Sequence, residues 1–256
     1  MGVRGAALAT VVAQLLSGIG SLLFAISNNP YFKIEKKHFQ FNYVIIKQCT
    51  RIGIPLAFQN SLIAFSCVAL QSVVNTFGAV IVAAFTATSR IEQLVEQPYN
   101  SLGMSLATYT GQNIGANKID RVKLGYRKAL IIMLIYSFIM MPLAHYGGKI
   151  VVQMFVDEIQ VIEYGAQALK ITSCFYVFLG SIYVTRGLLN GAGDAAFAFI
   201  NGIVEIFGRI CFAFLLTSVV GMGAWGIWMS TSATWVLTSV FNITRYFQGK
   251  WKKKII

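Results

Sequence analysis

Long apolar runs separated by short polar connections dominate the chain. They lie near residues 5–26, 52–75, 79–107, 129–147, 164–189, 196–219 and 223–246. Each is close to or above the ~20 residues that a helix needs to cross the hydrocarbon core of a bilayer. The pattern predicts an all-α integral membrane protein, a polytopic helical bundle of about seven transmembrane helices. The first run, Gly5 to Ile26, is too long for the apolar core of a signal peptide, and no cleavage site or soluble domain follows it.

The interruptions carry information. Gly53-Ile54-Pro55 opens the second run, which places Pro55 in a first helical turn, where proline is tolerated. Pro98 and Pro142 fall inside runs and are expected to kink them. The polar, basic segment from Ser27 to Lys47 is the longest basic connection and the best candidate for a boundary between lobes. Residues 1–10, MGVRGAALAT, also align without gaps on residues 222–231, MGAWGIWMST. The second copy follows several apolar runs and the first follows none. The chain is therefore expected to begin inside a duplicated membrane protein.

Composition supports the membrane reading: 56% of residues are hydrophobic, 12% are charged, and mean hydropathy is +0.66. The net charge of +12 would fit a nucleic-acid partner if it were spread evenly, but it is not. Lys33, Lys36, Lys37, Lys47 and Arg51 fall on one side of the expected bilayer, followed by Lys118, Arg121, Lys123, Arg127, Lys128 and Arg186. Arg245, Lys250, Lys252, Lys253 and Lys254 complete that side, while the other holds little beyond Arg4, Lys149, Lys170, Asp157, Glu158 and Glu163. This asymmetry places the basic loops and the C-terminus in the cytoplasm. The basic tail is expected to meet anionic lipid, and no nucleic acid is called for. Cys49, Cys67, Cys174 and Cys211 lack metal-ligand spacing and read as free packing residues.

Charges inside the runs are the candidate chemistry. Glu92 and Glu96 are spaced i,i+4 with Asn100 one turn further, so one helix face carries all three. A carboxylate at bilayer depth costs at least ~2.5 kcal/mol unless it is partnered, so such a pair suits a proton, a Na⁺ or an organic cation, with Arg90 able to neutralise one member. Asn201, Glu205 and Arg209 repeat the spacing in the sixth run, where Glu205 and Arg209 can brace each other. Asn60, Gln71 and Asn75 form a neutral polar stripe on the second run, with Gln59 beside it; it reads as interhelical bonding or as one wall of a substrate cavity. Loop aspartates provide no catalytic constellation, so no enzyme is expected. A Gly-x-Gly-Asp pattern at 191–194 matches intramembrane aspartyl proteases, but no second intramembrane aspartate completes a dyad.

Gly111-Gln112-Asn113-Ile114-Gly115-Ala116 follows the third run, and Arg186-Gly187-Leu188-Leu189-Asn190-Gly191-Ala192-Gly193-Asp194 follows the fifth. Together with Gly53-Ile54-Pro55 and the repeated Met-Gly-x-x-Gly start, these motifs resemble the multidrug and toxic compound extrusion (MATE) family along essentially the whole chain. The motif residues Gly53, Pro55, Gly111, Gln112, Gly115, Gly191, Gly193, Asp194 and Arg209 read as architecture, with Asp120 and Asp194 capping the helices that follow. The resemblance implies two six-helix lobes and export of organic, often cationic compounds in exchange for Na⁺ or H⁺. This chain then divides into 1–26, the last helix of a missing N-terminal lobe; 27–47, a cytoplasmic inter-lobe loop; 48–247, one six-helix lobe; and 248–256, a basic tail. On that basis the partners are small-molecule substrates, the lipid bilayer and the missing lobe. The location is a bacterial cytoplasmic membrane, and no cofactor beyond the coupling ion is implied. Glu92, Glu96 and Glu205, with Asn60, Gln71 and Asn75, are the candidate contacts for substrate or coupling ion, and no metal site is assigned. Some family members carry a glutamate on the helix matching the second run and an aspartate on that matching the fifth, which this chain lacks. Two rivals remain: a fragment that transports nothing and acts only as an interaction partner, and a lipid-linked oligosaccharide flippase of the same superfamily.

Overall fold

A computed structural model describes residues 2–28 and 41–253. Lys33, Glu35, Lys36, Lys37 and Lys254, and most of the inter-lobe segment read above, lie outside the described residues, as does Met1 of the repeat. Among the described residues every long element is a helix. The chain divides into two compact units, Met1–Ile46 and Lys47–Ile256.

The first unit consists chiefly of α1 (Gly2–Asn28). Large apolar side chains point out all round it, Leu8, Leu15, Leu16, Leu23 and Phe24 among them, as suits a helix surrounded by lipid or by other helices. Gly2 at its start and Gly223 at the matching place of the repeat both have positive φ, 50° and 57°. Backbone geometry therefore follows the sequence match.

The second unit is built on α2 (Tyr43–Val74), whose first four residues fall in the first unit, α3 (Ala79–Gly115), α4 (Ile119–Gln153), α5 (Ile159–Ser173), α6 (Tyr176–Gly191), α7 (Ala195–Phe214) and α8 (Trp225–Phe247). By length and hydropathy, four described helices suffice to cross a membrane (α1, α2, α4 and α7), and the bent pair α5–α6 makes a fifth. The remaining two expected spans, α3 and α8, fall short in hydropathy because they sit inside the bundle. α8 buries Ser230, Thr231, Ser232, Thr234, Thr238, Ser239 and Asn242. α3 packs against α4, α5 and α6. Where neighbours replace lipid, apolar composition is no longer required.

Three expectations about local structure change. Pro55 is not in a first turn: α2 begins twelve residues earlier, where the Asn42 side chain accepts from the backbone N–H groups of Val44 and Ile45 at 3.0 and 3.3 Å. The run at 164–189 is broken at Cys174–Phe175, where α5 meets α6 at 57°. No Pro or Gly marks the break. The Ser173 hydroxyl and the Cys174 thiol both donate to the Lys170 carbonyl, at 3.1 and 3.3 Å, the local side-chain competition that bends helices. The sixth run ends in a π-helical turn at Leu215–Val219, with the Val220 N–H donating to the Leu215 carbonyl at 2.8 Å.

The tightest contact in the unit is between α3 and α6. Gly103, Ala107 and Gly111 of α3 face Gly187 and Gly191 of α6. A Cβ on Gly187 or Gly191 would run into the carbonyls of Gly103 and Ala107, and one on Gly103 would stand 2.6 Å from the Tyr183 carbonyl oxygen. Gly191 and Gly111 are thus packing residues, whereas Gly53 and Gly115 have open space around them. The seam follows the small-xxx-small rule of membrane helices. Around it lies the main core, with Tyr99, Leu106, Met133, Tyr176, Leu188 and Trp235. Gly193, at φ 71°, makes the turn from α6 into α7.

Asp194 caps α7, accepting from the Phe197 N–H at 3.3 Å, as expected. Its carboxylate, 1% exposed, also takes a two-pronged ion pair from Arg245 at 2.8 and 3.0 Å. Asp120 does not cap α4. It is the second residue of the helix, inside its first turn, and pairs with Lys123 at 2.7 Å on the surface. Gln112 is exposed near the end of α3. The four cysteines are free, as expected, and all are exposed rather than packed.

Candidate functional site

A cavity of about 300 Å³ opens within the second unit. It is bounded by Cys67 and Gln71 of α2, Ser89, Glu92 and Glu96 of α3, Tyr183 and Arg186 of α6, Glu205 and Arg209 of α7, and Trp235 of α8. Five charged side chains thus converge from three helices.

The spacing of these residues explains the convergence. Glu92 and Glu96 lie one turn apart on α3, on the same side as Ser89. Glu96 accepts a hydrogen bond from the Tyr183 hydroxyl at 3.2 Å, a contact that the glycine seam makes possible by holding α6 against α3. One oxygen of Glu92 is buried and has no hydrogen-bond partner, a costly state for a carboxylate. Glu205 and Arg209 pair within α7 at 3.3 Å. Glu205 pairs more closely with Arg186, at 2.6 Å. Arg209 also donates to the Cys67 sulfur at 3.2 Å.

Arg186, expected among the basic residues of the cytoplasmic side, has its guanidinium in the cavity. α6 continues past it to Gly191, and the Gly193 turn brings α7 back alongside, so residues 186 and 205 meet. Arg90 is exposed and lies outside the cavity lining, so it does not neutralise either glutamate. Gln71 lines the cavity and donates at 3.0 Å to Asn75, which is outside the lining. Asn60 is exposed and points elsewhere.

Its neighbour Gln59 is the inward residue, 1% exposed. Asn190 of α6 donates to Gln59 at 3.1 Å, Gln59 to Asn201 of α7 at 2.7 Å, and Asn201 to Asn242 of α8 at 2.7 Å. Asn242 donates back to the Ile182 carbonyl of α6 at 3.5 Å. The chain of amides ties four helices together with neutral groups. Among the described residues no cluster of three or more His, Cys, Asp or Glu side chains could hold a metal ion. What the cavity offers instead is carboxylates, guanidiniums, a phenol and a thiol, suited to binding a charged molecule or ion and to exchanging a proton.

Known proteins agree with this architecture. The chain is 24% identical over 260 residues to "Probable multidrug resistance protein YoeA" of Bacillus subtilis, matching 100% of this chain and 56% of that protein. It is 24% identical over 257 residues to "Probable multidrug resistance protein NorM" of Thermotoga maritima, matching 100% of this chain and 55% of that protein. It therefore spans little more than half the length of these relatives. A crystal structure described as MATE in the straight conformation superposes with a TM-score of 0.87 at 22% identity, covering 99% of this chain and 58% of that one. Residues 55–215, well over half of the chain, match the MatE family model, and the chain belongs to the MatE, or multidrug and toxic compound extrusion, family.

Proposed function

We propose that the chain serves a secondary active antiporter that exports drugs or other organic, often cationic compounds in exchange for Na⁺ or H⁺, in a bacterial cytoplasmic membrane with the C-terminus inside. Members of its family are transporters, not enzymes. The observation that carries the reading is the pair Glu92 and Glu96 in the wall of a cavity among membrane helices, one of them with a buried oxygen that has no donor in hydrogen-bonding geometry, the nearby Thr172 hydroxyl included. A carboxylate held there is stabilised by whatever cation occupies the cavity, and substrate and coupling ion can compete for it. Glu205 is already shared between two arginines, so it serves this purpose less well.

The test is efflux of a fluorescent organic cation against imposed Na⁺ and pH gradients, with Glu92→Gln and Glu96→Gln made singly and together. Loss of efflux in the double variant, and in one single variant, is expected. Unchanged efflux in all three would refute the assignment. Which gradient drives the residual efflux identifies the ion.

A further inference from the structure

Two guanidiniums in this cavity have more hydrogen-bonding capacity than their surroundings use. Arg186 and Arg209 share one carboxylate, Glu205. Each guanidinium carries roughly five N–H donors. The only acceptors they meet among the described residues are Glu205 and the Cys67 sulfur. The Nε of each arginine is buried and unpartnered. A thiol is a weak acceptor, so Arg209 spends one donor on a contact that an oxyanion would readily displace. Both arginines are otherwise held in place, their side chains 15% and 10% exposed.

Opposite them the imbalance has the other sign. Glu92 has an unsatisfied acceptor, and Glu96 is satisfied by a single phenol. The cavity thus presents surplus donors on the α6–α7 side and surplus acceptors on the α3 side.

We infer that Arg186 and Arg209 form a subsite for an anionic group, and that the cavity takes a zwitterion whose carboxylate or phosphonate meets these arginines while its ammonium meets Glu92 and Glu96. A plain cation fills only half of this arrangement, leaving the guanidinium donors unmet and a second positive charge facing the ligand. A zwitterion fills both halves and leaves the net charge of the site unchanged. The volume, near the lower end for ligand pockets, favours a compact molecule. This inference rests on the reading that the cavity binds the transported molecule.

The test is equilibrium binding to the purified chain in lipid nanodiscs, read by fluorescence anisotropy. The probes are a compact aminocoumarin carrying a quaternary ammonium and a free carboxylate, and the methyl ester of the same dye, a plain cation. One charge-assisted pair makes the zwitterion bind about tenfold more tightly than the ester. Arg209→Gln is expected to bring the ratio close to one. Arg209→Lys keeps the charge beside Glu205 and should retain part of the preference; circular dichroism confirms that both variants remain helical. If the ester binds as tightly as the zwitterion, the anion subsite is refuted while the cation reading stands. If the zwitterion is preferred but Arg209→Gln leaves the ratio untouched, the preference arises elsewhere and the assignment falls. If neither dye binds the folded chain, the cavity reading and the subsite fall together.

Discussion

Replacing Gly103 by Ala tests whether the seam between α3 and α6 is what builds the cavity. The new Cβ would lie 2.6 Å from the Tyr183 carbonyl oxygen and 3.2 Å from its carbon, where ordinary contact begins at 3.4 Å. The obstacle is backbone, so the helices must separate by about 0.8 Å rather than a side chain turning aside. Overpacking of this kind costs roughly 1–3 kcal/mol, offset by up to about 1 kcal/mol because Ala favours helix over Gly. A net loss of about 1–2 kcal/mol is expected. The same displacement stretches the hydrogen bond from Tyr183 to Glu96, now 3.2 Å, beyond bonding range, so ligand affinity should fall as well. The assay is reversible unfolding in mixed detergent followed by helical circular dichroism, with Gly147→Ala as control. A Cβ on Gly147 meets nothing within 4 Å, so that variant should match or slightly exceed the parent. Equal stability of Gly103→Ala and Gly147→Ala would refute the idea that backbone contact holds the seam.

Two further substitutions address the other fixed points. Arg245→Ala removes the two-pronged ion pair from the buried Asp194 carboxylate and should cost up to about 3–5 kcal/mol in the same unfolding assay; a loss below about 1 kcal/mol would show that the pair adds little to the stability of this corner. Asn201→Ala leaves the Gln59 amide and the Asn242 carbonyl oxygen unpartnered, at about 1–3 kcal/mol each. The double variant Asn201→Ala/Asn242→Leu should lose less than the sum of its parts, and strict additivity would argue against a connected network.

Much of this was legible in the chain, for uneven reasons. The apolar runs coincide with the long helices, since a run of that length has few other fates, although α3 and α8 are not apolar enough to cross a membrane by hydropathy alone. Hydropathy gave no sign of the break at Cys174–Phe175, which depends on two side chains donating back to one carbonyl. The i,i+4 spacing revealed the Glu205–Arg209 pair because both residues lie on one helix. Arg186 was hidden because its partner is on the next helix, and an arginine near the end of a span reads equally well as a cytoplasmic charge. Gln59 and Asn60 illustrate a finer limit. Neighbouring residues on a helix point about 100° apart, and the polar stripe could not decide which of them faced inward. Gly187-x-x-x-Gly191 carries a readable signal of close helix packing, but the motif reads only as architecture and names no partner helix.

The glycine seam also makes the cavity mechanically uneven. Its α3 wall, with Glu92 and Glu96, and its α6 wall, with Tyr183 and Arg186, meet backbone to backbone and can yield little without separating whole helices. α7 packs mainly on α8; on the cavity side it meets α6 through the Arg186–Glu205 ion pair, with the relay of amides and Phe197 in the core anchoring its start. A bulkier ligand is then expected to gain room on the α7 side, where the contact between Arg186 and Glu205 closes the wall. The ion pair would then help set the upper size of molecule the cavity admits, and changes at residue 205 should widen or narrow the range of compounds accepted.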